Sequence, residues 1–284
     1  IQSIMDLWKG GKSVVVVTGA TGVLGHAFSL QIARLVTPGS HLVLSSRSSE
    51  NLCNLKVSTL EWDLNNPDFR QYEDELQSVT NTQRNFAGQP IRLRSVNSFH
   101  SAVLIHCAAE IGDYSKTVQQ IGADLEPLKN ILNVNVVSLL AVSTAFLNTF
   151  GGGKAAMYKA IVNLTAPCAE NAYASFGHDA ISKAAKKMAL DVLSKERPDV
   201  KVLHFNPVAV ESPAFYAIRD QSHDVEVKAA FQSISKHHKT YPAEHVAVVL
   251  CDILKDFLFE SGAVIGTNDV PVANGHRSVL ANGI

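Results

Sequence analysis

The sequence predicts one α/β domain built on a doubly wound parallel β-sheet. Two observations predict it: strand-like and helix-like segments alternate along the chain, and the run at residues 13–18 is β-branched from Val14 onwards. Such alternation is typical of parallel strands joined by helices that cover both faces of the sheet. A strand covered on both faces is apolar throughout, which explains the β-branched run.

The individual elements follow from hydrophobic periodicity. Apolar residues at helical spacing indicate helices, and short runs of Val, Ile and Leu indicate strands. Pro38-Gly39 ends the first helix. We predict strands at 13–18, 41–45, 57–62, 102–106, 160–164, 200–205 and 262–265, and helices at 24–35, 127–150, 179–195 and 242–259.

Two segments, 81–98 and 212–238, lack a clear period and are predicted to be insertions or mobile loops. The stretch from Thr267 contains Pro, Gly and Asn with little periodicity, so we expect a tail of uncertain order. The predicted organisation is therefore one domain at 1–266 followed by a tail at 267–284.

Composition and charge exclude several classes of function. The 284 residues are 46% hydrophobic and 18% charged, an ordinary globular mixture. The net charge of −1 argues against a nucleic-acid or membrane partner, since either would need a basic excess. No apolar run reaches the ~20 residues of a membrane span, and the first ten residues do not resemble a signal peptide. The four cysteines are far apart, so we expect reduced thiols, no metal site and a cytoplasmic protein.

A glycine loop lies directly after the first strand and opens the first helix. Its glycines are Gly19, Gly22 and Gly25, with Thr21, Val23 and Leu24 between them. Glycine tolerates the tight turn, and the free N–H groups of a helix N-terminus attract a pyrophosphate. This context predicts a Rossmann-type dinucleotide site.

The end of the second strand indicates which dinucleotide is bound. An acidic residue there favours NAD, whereas an arginine accommodates the extra phosphate of NADP. This strand ends in Ser46 and Arg47, with no carboxylate before Glu50, so we expect NADP(H). Asp63, followed by Leu64, is placed to accept from the adenine amino group or to cap the next helix.

Further motifs resemble those of the short-chain dehydrogenase/reductase family from about Val14 to Gly262. They are Thr18-Gly19-Ala20, Pro38-Gly39-Ser40, Gly112-Asp113, Asn135, Val162-Asn163, Cys168-Ala169, Lys183-Ala184-Ala185, Pro207 and Ser261-Gly262-Ala263. The resemblance implies a sheet of seven strands, an NADP(H) cofactor and reduction of a carbonyl group. It also implies that the cofactor contacts Ala108, Ala109, Lys183 and Pro207.

The family's chemistry uses a Tyr that protonates the forming alkoxide, a Lys four residues later, a Ser that orients the carbonyl, and an Asn. The resemblance places the Lys at Lys183 and the Asn at Asn135. It places Asp179 at the Tyr position and Ala166, beside Thr165, at the Ser position. A carboxylate is ionised at neutral pH and has no proton to donate. We therefore expect Asp179 to form an i, i+4 ion pair with Lys183, and the reductase activity to be impaired or altered.

Three functions stay open at this point. The first is a carbonyl reductase with altered groups, in which Thr165, Tyr173, Ser175 or His178 supplies the proton. The second is a catalytically silent NADP(H)-binding sensor or scaffold. The third is sugar-nucleotide epimerase-like chemistry, because the glycine spacing and the run at 106–109 resemble the extended branch of the family.

The resemblance also implies partners. It is strongest to a branch that reduces a pterin, so we expect a small carbonyl substrate such as a pterin. A carboxylate near the C-terminus anchors the pterin in that branch; Gly266 stands at its position here, with Asp269 three residues on. In this family the helices predicted at 127–150 and 179–195 commonly pack against a second subunit, so we expect a homodimer.

Overall fold

The computed structural model describes residues 6–46, 56–84, 90–92, 99–152 and 155–270. Seven parallel strands within these residues form one central sheet. The strands are β1 (Ser13–Thr18), β2 (His41–Ser46), β3 (Lys56–Glu61), β6 (Phe99–His106), β7 (Ala156–Leu164), β8 (Lys201–Asn206) and β9 (Ala263–Gly266). The order of these seven strands across the sheet is β3-β2-β1-β6-β7-β8-β9, which confirms the predicted doubly wound fold. Two further strands, β4 (Thr82–Arg84) and β5 (Pro90–Arg92), form a separate antiparallel pair.

Helices cover both faces of this sheet. They are α1 (Val23–Leu35), α2 (Phe69–Asn81), α3 (Val118–Ala123), α4 (Glu126–Leu132), α5 (Ser138–Phe150), α6 (Gly177–Glu196), α7 (Pro213–Gln221), α8 (Val225–Lys236) and α9 (Ala243–Lys255). Alternate residues of β1 point to opposite faces. Val15 and Val17 pack with α1 and α9, whereas Val14 and Val16 pack with α2, α5 and α6. Both faces of β1 are therefore buried, as its apolar sequence predicts.

The helix predicted at 127–150 is continuous but not uniform. A π-helical segment, Asn133–Val137, joins α4 to α5 and carries the buried Asn135. The combined helix, Glu126–Phe150, is long and apolar enough to cross a membrane by length and composition, which corrects our expectation that no segment reaches that length. Half of its most apolar stretch is buried in the fold, where Phe146 and Phe150 are fully covered. That burial is typical of the core helix of a three-layer domain.

Three other predictions are wrong or need refinement. The segment predicted as a mobile loop at 212–238 forms the helices α7 and α8, which begin at the capping residues Ser212 and Asp224. The last helix ends at Lys255, not residue 259, because Phe257 adopts a positive φ of 51° and its carbonyl accepts from Lys201 Nζ at 2.7 Å. The segment at 81–98 contains the pair β4 and β5, and residues 271–284 of the predicted tail lie outside the described residues.

Candidate functional site

The glycine loop after β1 has the conformation that a dinucleotide site requires. Gly19 has a φ of +65°, and a Cβ built on it would lie 2.7 Å from both the N and Cα of Ala108. A Cβ on Gly25 would collide with the carbonyl oxygen of Gly19. The loop and the segment after β6 are therefore in direct contact, and only glycine permits that contact.

The first turn of α1 faces out of this loop. Gly22 is the N-cap and has no side chain to satisfy the first amides of the helix. Thr21, Gly22 and Val23 are exposed, and Leu24 is half-buried. Unsatisfied amides at an exposed helix N-terminus, next to a backbone without Cβ atoms, form a binding site for an anion such as a pyrophosphate.

The candidates for the adenosine end of the cofactor are only partly described. Ser46 ends β2, and Arg47 lies outside the described residues. Asp63 is exposed, and its carboxylate accepts from the Asn65 N–H at 3.1 Å; the neighbouring Leu64 is half-buried. The alternative role of Asp63 as a helix cap is wrong. Asp68 caps α2 by accepting from the Arg70 and Gln71 amides at 2.9 and 3.2 Å.

The segment after β6 lies against the glycine loop. The Ala108 N–H donates to Thr18 Oγ1 at 3.2 Å, and Ala109 is exposed. His106, at the end of β6, is buried and shares a hydrogen bond of 2.9 Å with Ser143 Oγ. Burial, together with the positive charge of Lys186, lowers the pKa of His106 to about 3, so this imidazole is neutral at physiological pH.

Asp179 and Lys183 lie one turn apart on α6 and form the predicted ion pair, with 3.4 Å between Nζ and Oδ2. Asp179 is 6% exposed. Burial of the ammonium lowers the pKa of Lys183, but Asp179 more than offsets this, so the pKa lies above its ordinary value. Lys183 is therefore a fixed positive charge at the centre of the site.

A third residue, Tyr114, completes this cluster and was not predicted. Its hydroxyl donates to Asp179 Oδ2 at 2.9 Å, and its side chain is almost fully buried. Burial, reinforced by the Asp179 carboxylate, raises the pKa of Tyr114 far above its ordinary value. The sequence contains one signal for this contact: Tyr114 directly follows Gly112-Asp113, a pair that carries the family resemblance.

Asn135 connects the long helix to this cluster. Its Oδ1 accepts from the Glu110 N–H at 2.8 Å, and its Nδ2 donates to the Glu110 carbonyl and to Ser182 Oγ at 3.0 and 3.1 Å. Ser182 in turn donates to the carbonyl of Asp179 at 3.3 Å. Asn135 thus links Glu110 to the turn of α6 that carries Asp179, and a π-helical segment such as the one that carries Asn135 is frequent at functional sites.

The Ser position has no equivalent hydroxyl at Ala166. Thr165 is buried, and its Oγ1 has no hydrogen-bond partner among the described residues. Cys168, in the following turn, is also buried, and burial raises the pKa of its thiol to about 11. Cys168 is therefore a buried apolar side chain rather than a reactive thiol.

The other proposed proton donors are engaged or covered. His178 is buried, with Nδ1 accepting from the Asp113 N–H at 3.3 Å. Ser175 has a φ of 69°, and its Oγ accepts from the Asp224 N–H at 3.1 Å. Tyr173 packs on Phe176 with 5.9 Å between ring centroids. The side chains that contact Asp179 are those of Tyr114 and Lys183.

Pro207 follows β8, and the next residue, Val208, stands where the family has glycine. Val208 has a φ of 62°, a conformation that is strained for a β-branched residue. The Asn206 side chain accepts from the Val208 N–H at 3.0 Å and holds the turn. The loop therefore holds Val208 in a conformation that glycine adopts without strain.

One buried charge near the site has no counter-ion. Lys186 is 2% exposed and has no hydrogen bond or ion pair with any described residue. Burial, together with the positive charge of Lys183, lowers the pKa of Lys186 to about 8. No group of three or more His, Cys, Asp or Glu side chains among the described residues could hold a metal ion.

The fold and this site define a class of protein. The family model described as short chain dehydrogenase matches residues 13–223, and the chain belongs to that family of oxidoreductases. The chain is similar to sepiapterin reductase from Mus musculus, with 30% identity over 261 residues that cover 91% of this chain and 98% of the mouse protein. It is also 30% identical to sepiapterin reductase from Rattus norvegicus over 277 residues, covering 94% and 100% of the two chains.

Solved structures share the fold at lower identity. The crystal structure of KRED1-Pglu superposes with a TM-score of 0.71 and 17% identity, covering 89% of this chain and all of that one. A variant of ElxO with NADPH bound gives a TM-score of 0.67 and 16% identity, covering 91% and 98%. These likenesses agree with the order of strands described above.

Proposed function

We propose that this chain is an NADP(H)-binding relative of sepiapterin reductase in which the reduction of a small carbonyl substrate is strongly impaired. The observation that carries the second part is the environment of Asp179. Its Oδ2 accepts a hydrogen bond from the Tyr114 hydroxyl and forms an ion pair with Lys183. A carboxylate oxygen that faces a hydroxyl donor and an ammonium is an acceptor, so it does not supply the proton that the alkoxide needs.

The cofactor part of the proposal is supported by the backbone around the glycine loop. Gly19 permits contact with Ala108, and Gly22 leaves the first amides of α1 open to solvent. A bound nicotinamide would supply the hydride. On the protein side, the amides of α1 would bind the pyrophosphate, and Lys183 would hold the ribose next to the nicotinamide. Arg47 and Ser46, by their position after β2, would select the extra phosphate of NADP.

The proposed substrate class is a small carbonyl compound such as a pterin, as for the relatives named sepiapterin reductase. Asp269 is the candidate anchor for it, but its Oδ2 accepts from the Gly266 N–H at 2.7 Å. A substrate would therefore have to share this carboxylate with the backbone. The bond to Gly266 holds the carboxylate in one orientation and leaves Oδ1 to accept from a substrate.

Two alternatives remain from the sequence. A catalytically silent sensor or scaffold differs from the main proposal only in degree, because it also binds NADP(H) but has no turnover at all. Epimerase-like chemistry, suggested by the glycine spacing, predicts a tightly held cofactor without net oxidation. Any measurable turnover would exclude the catalytically silent alternative. A cofactor that stays bound during purification would support the epimerase-like alternative.

We also propose a homodimer through α5 and α6. Exposed apolar side chains lie along these helices and the preceding π-helical segment. They are Val137, Leu140, Ile181, Met188 and Val192, of which Met188 is 63% exposed. Apolar faces of this kind commonly pack in a symmetric interface. Light scattering tests this part: a dimer that Met188→Asp converts to a monomer supports it, and a monomeric natural chain contradicts it.

The function is tested by NADPH binding and by sepiapterin-dependent NADPH oxidation on the same purified protein. We expect saturable binding of NADPH and turnover at least ~100-fold below that of a sepiapterin reductase assayed in parallel. An Ala166→Ser, Asp179→Tyr double variant restores the family's Ser and Tyr, and its turnover is compared with that of the natural chain. Lack of NADPH binding would contradict the cofactor part, and rapid turnover by the natural chain would contradict the impairment.

A further inference from the structure

Tyr114 contacts more than Asp179. Its ring packs against Phe176 with 5.4 Å between centroids, and it belongs to a small apolar cluster with Ala217 and Ile218 of α7. Phe231 of α8 joins the same cluster through Phe176, at 6.3 Å. Tyr114 therefore lies between the helix that carries Asp179 and the pair α7 and α8, which we call the cover helices.

Backbone bonds reinforce this position. The His223 N–H, between the two cover helices, donates to the carbonyl of Tyr114 at 3.0 Å. The next amide, that of Asp224, donates to Ser175 Oγ at 3.1 Å, immediately before α6. The link between the cover helices is thus tied on one side to Tyr114 and on the other side to the start of α6.

From these contacts we propose that Tyr114 is a specificity-determining residue that keeps carbonyl substrates away from Lys183. This inference rests on the proposed function. In the family's reaction the carbonyl lies against the side chain at position 179. Here that side chain is a short carboxylate, and the Tyr114 hydroxyl lies one hydrogen bond beyond it. The phenol takes the space next to Asp179 that a substrate carbonyl would need.

The pairing of the two residues makes this exclusion stable. Tyr114 and Asp179 are 1% and 6% exposed, so a substrate that displaced the phenol would leave both polar groups buried and without each other. An unsatisfied buried polar group is destabilising, and a charged one more so. The aromatic contacts with Phe176 and the cover helices add to this cost.

The inference changes what is expected from restoring the family residues. A tyrosine at position 179 is longer than Asp179 and competes with Tyr114 for the same space. We expect the Ala166→Ser, Asp179→Tyr variant to gain only weak sepiapterin-dependent oxidation of NADPH. Adding Tyr114→Leu, which keeps apolar bulk against Phe176 and Ile218, is expected to raise kcat/KM at least ~10-fold over that double variant.

Two further variants separate the physical causes. Tyr114→Phe in the same background keeps the ring and loses only the hydroxyl, so its gain is expected to be smaller than that of Tyr114→Leu. Tyr216→Leu, on the exposed side of α7, is the matched control and is expected to change nothing. Where Tyr114→Leu fails to fold, Tyr114→Met serves as the flexible alternative.

Hydrogen exchange gives a readout that does not depend on turnover. We expect faster exchange of the amides of α7 and α8 in Tyr114→Leu than in the natural chain, with unchanged exchange in α9. Equal kcat/KM with and without Tyr114→Leu, at unchanged NADPH affinity, would overturn the inference. Turnover by the natural chain that Tyr114→Phe abolishes would also overturn it, because the phenol would then be a proton donor. Failure of the proposed function is distinct: it appears as rapid turnover by the natural chain or as lost NADPH binding.

Discussion

The Tyr114 hydroxyl donates a hydrogen bond of 2.9 Å to Asp179 Oδ2 inside a part of the site that solvent barely reaches. By its spacing from Lys183, we place Asp179 at the position of the catalytic tyrosine of the short-chain dehydrogenase/reductase family; on that proposal the chain has a phenol near the position, but attached to a different element. The phenol donates to a carboxylate, and its pKa is raised rather than lowered. A side chain that holds its proton more tightly is a poorer acid for the family's reaction.

The glycine loop gives a prediction that separates backbone shape from cofactor contact. Gly19→Ala places a Cβ 2.7 Å from the backbone of Ala108 at a positive φ, so we expect a loss of about 2 kcal/mol or more in the free energy of unfolding. Gly22→Ala places its Cβ 3.3 Å from the Gly19 carbonyl oxygen at an ordinary φ of −71°. It is expected to change stability by less than about 1 kcal/mol.

Urea unfolding and NADPH titration of these two variants test the prediction. Gly22→Ala is expected to weaken NADPH binding at least ~10-fold, because its methyl group projects where the pyrophosphate approaches. NADPH affinity equal to that of the natural chain in Gly22→Ala would show that the pyrophosphate does not bind at this loop.

The proposed function assigns cofactor selection to Arg47. Its replacement by alanine removes charge-assisted hydrogen bonds to the extra phosphate of NADP, so we expect NADPH affinity to fall by about 1.5–3 kcal/mol with little change for NADH. Arg70→Ala, on the exposed side of α2, is the matched control and is expected to change neither affinity. Equal losses for NADPH and NADH in Arg47→Ala would contradict the selectivity.

Val208 stores backbone strain that a single substitution relieves. A β-branched residue at a φ of 62° costs about 1–2 kcal/mol, whereas glycine in the folded chain loses about 0.5–1 kcal/mol of backbone entropy. Val208→Gly is therefore expected to raise the free energy of unfolding by about 0.5–1 kcal/mol in chemical denaturation. Val210→Gly, two residues on and buried at an ordinary φ, is expected to lower it by about 2 kcal/mol or more. A destabilised Val208→Gly would contradict the strain.

Lys186 gives a prediction about pH. Its pKa falls from 10.5 to about 8 on folding, so the unfolded chain binds the proton first and stability decreases as the pH falls from 10.5 to 8. At ~1.36 kcal/mol per pKa unit, the fall from 10.5 to about 8 corresponds to about 3 kcal/mol, so Lys186→Met is expected to stabilise the chain by up to about 3 kcal/mol at pH 7. This gain should shrink towards pH 10.5.

Urea unfolding at pH 7 and at pH 9.5 measures the effect of Lys186→Met. The neighbouring Lys187 bonds Asp191 and Glu170 at 2.9 and 3.2 Å, so Lys187→Met is the matched control and is expected to lose up to about 1 kcal/mol. A gain from Lys186→Met that is the same at both pH values would contradict the assignment of the buried amine as its cause.

Most of the fold follows from the sequence because its signals are local. The run at β1, the glycine loop and the helical periods of α5 and α6 each specify their own element, and strand alternation then specifies the parallel sheet. The ion pair of Asp179 and Lys183 is equally local, since residues four apart on a helix are neighbours. These features were predicted correctly.

The parts that were missed depend on contacts distant in sequence. Tyr114 and Asp179 are 65 residues apart, and no period or motif relates them. The cover helices, which were predicted as a loop, pack on Phe176 and Tyr114 in a small cluster apart from the main core. The early end of α9 depends on Lys201, which lies on strand β8. Tertiary packing, not local propensity, decided each of these.

The most direct test of the account is sepiapterin-dependent oxidation of NADPH by the natural chain, measured together with NADPH binding on the same sample. The account predicts saturable NADPH binding and turnover at least ~100-fold below that of a sepiapterin reductase assayed in parallel, because Asp179 is an acceptor and has no proton to give. Binding accompanied by turnover at the rate of that enzyme would contradict the account.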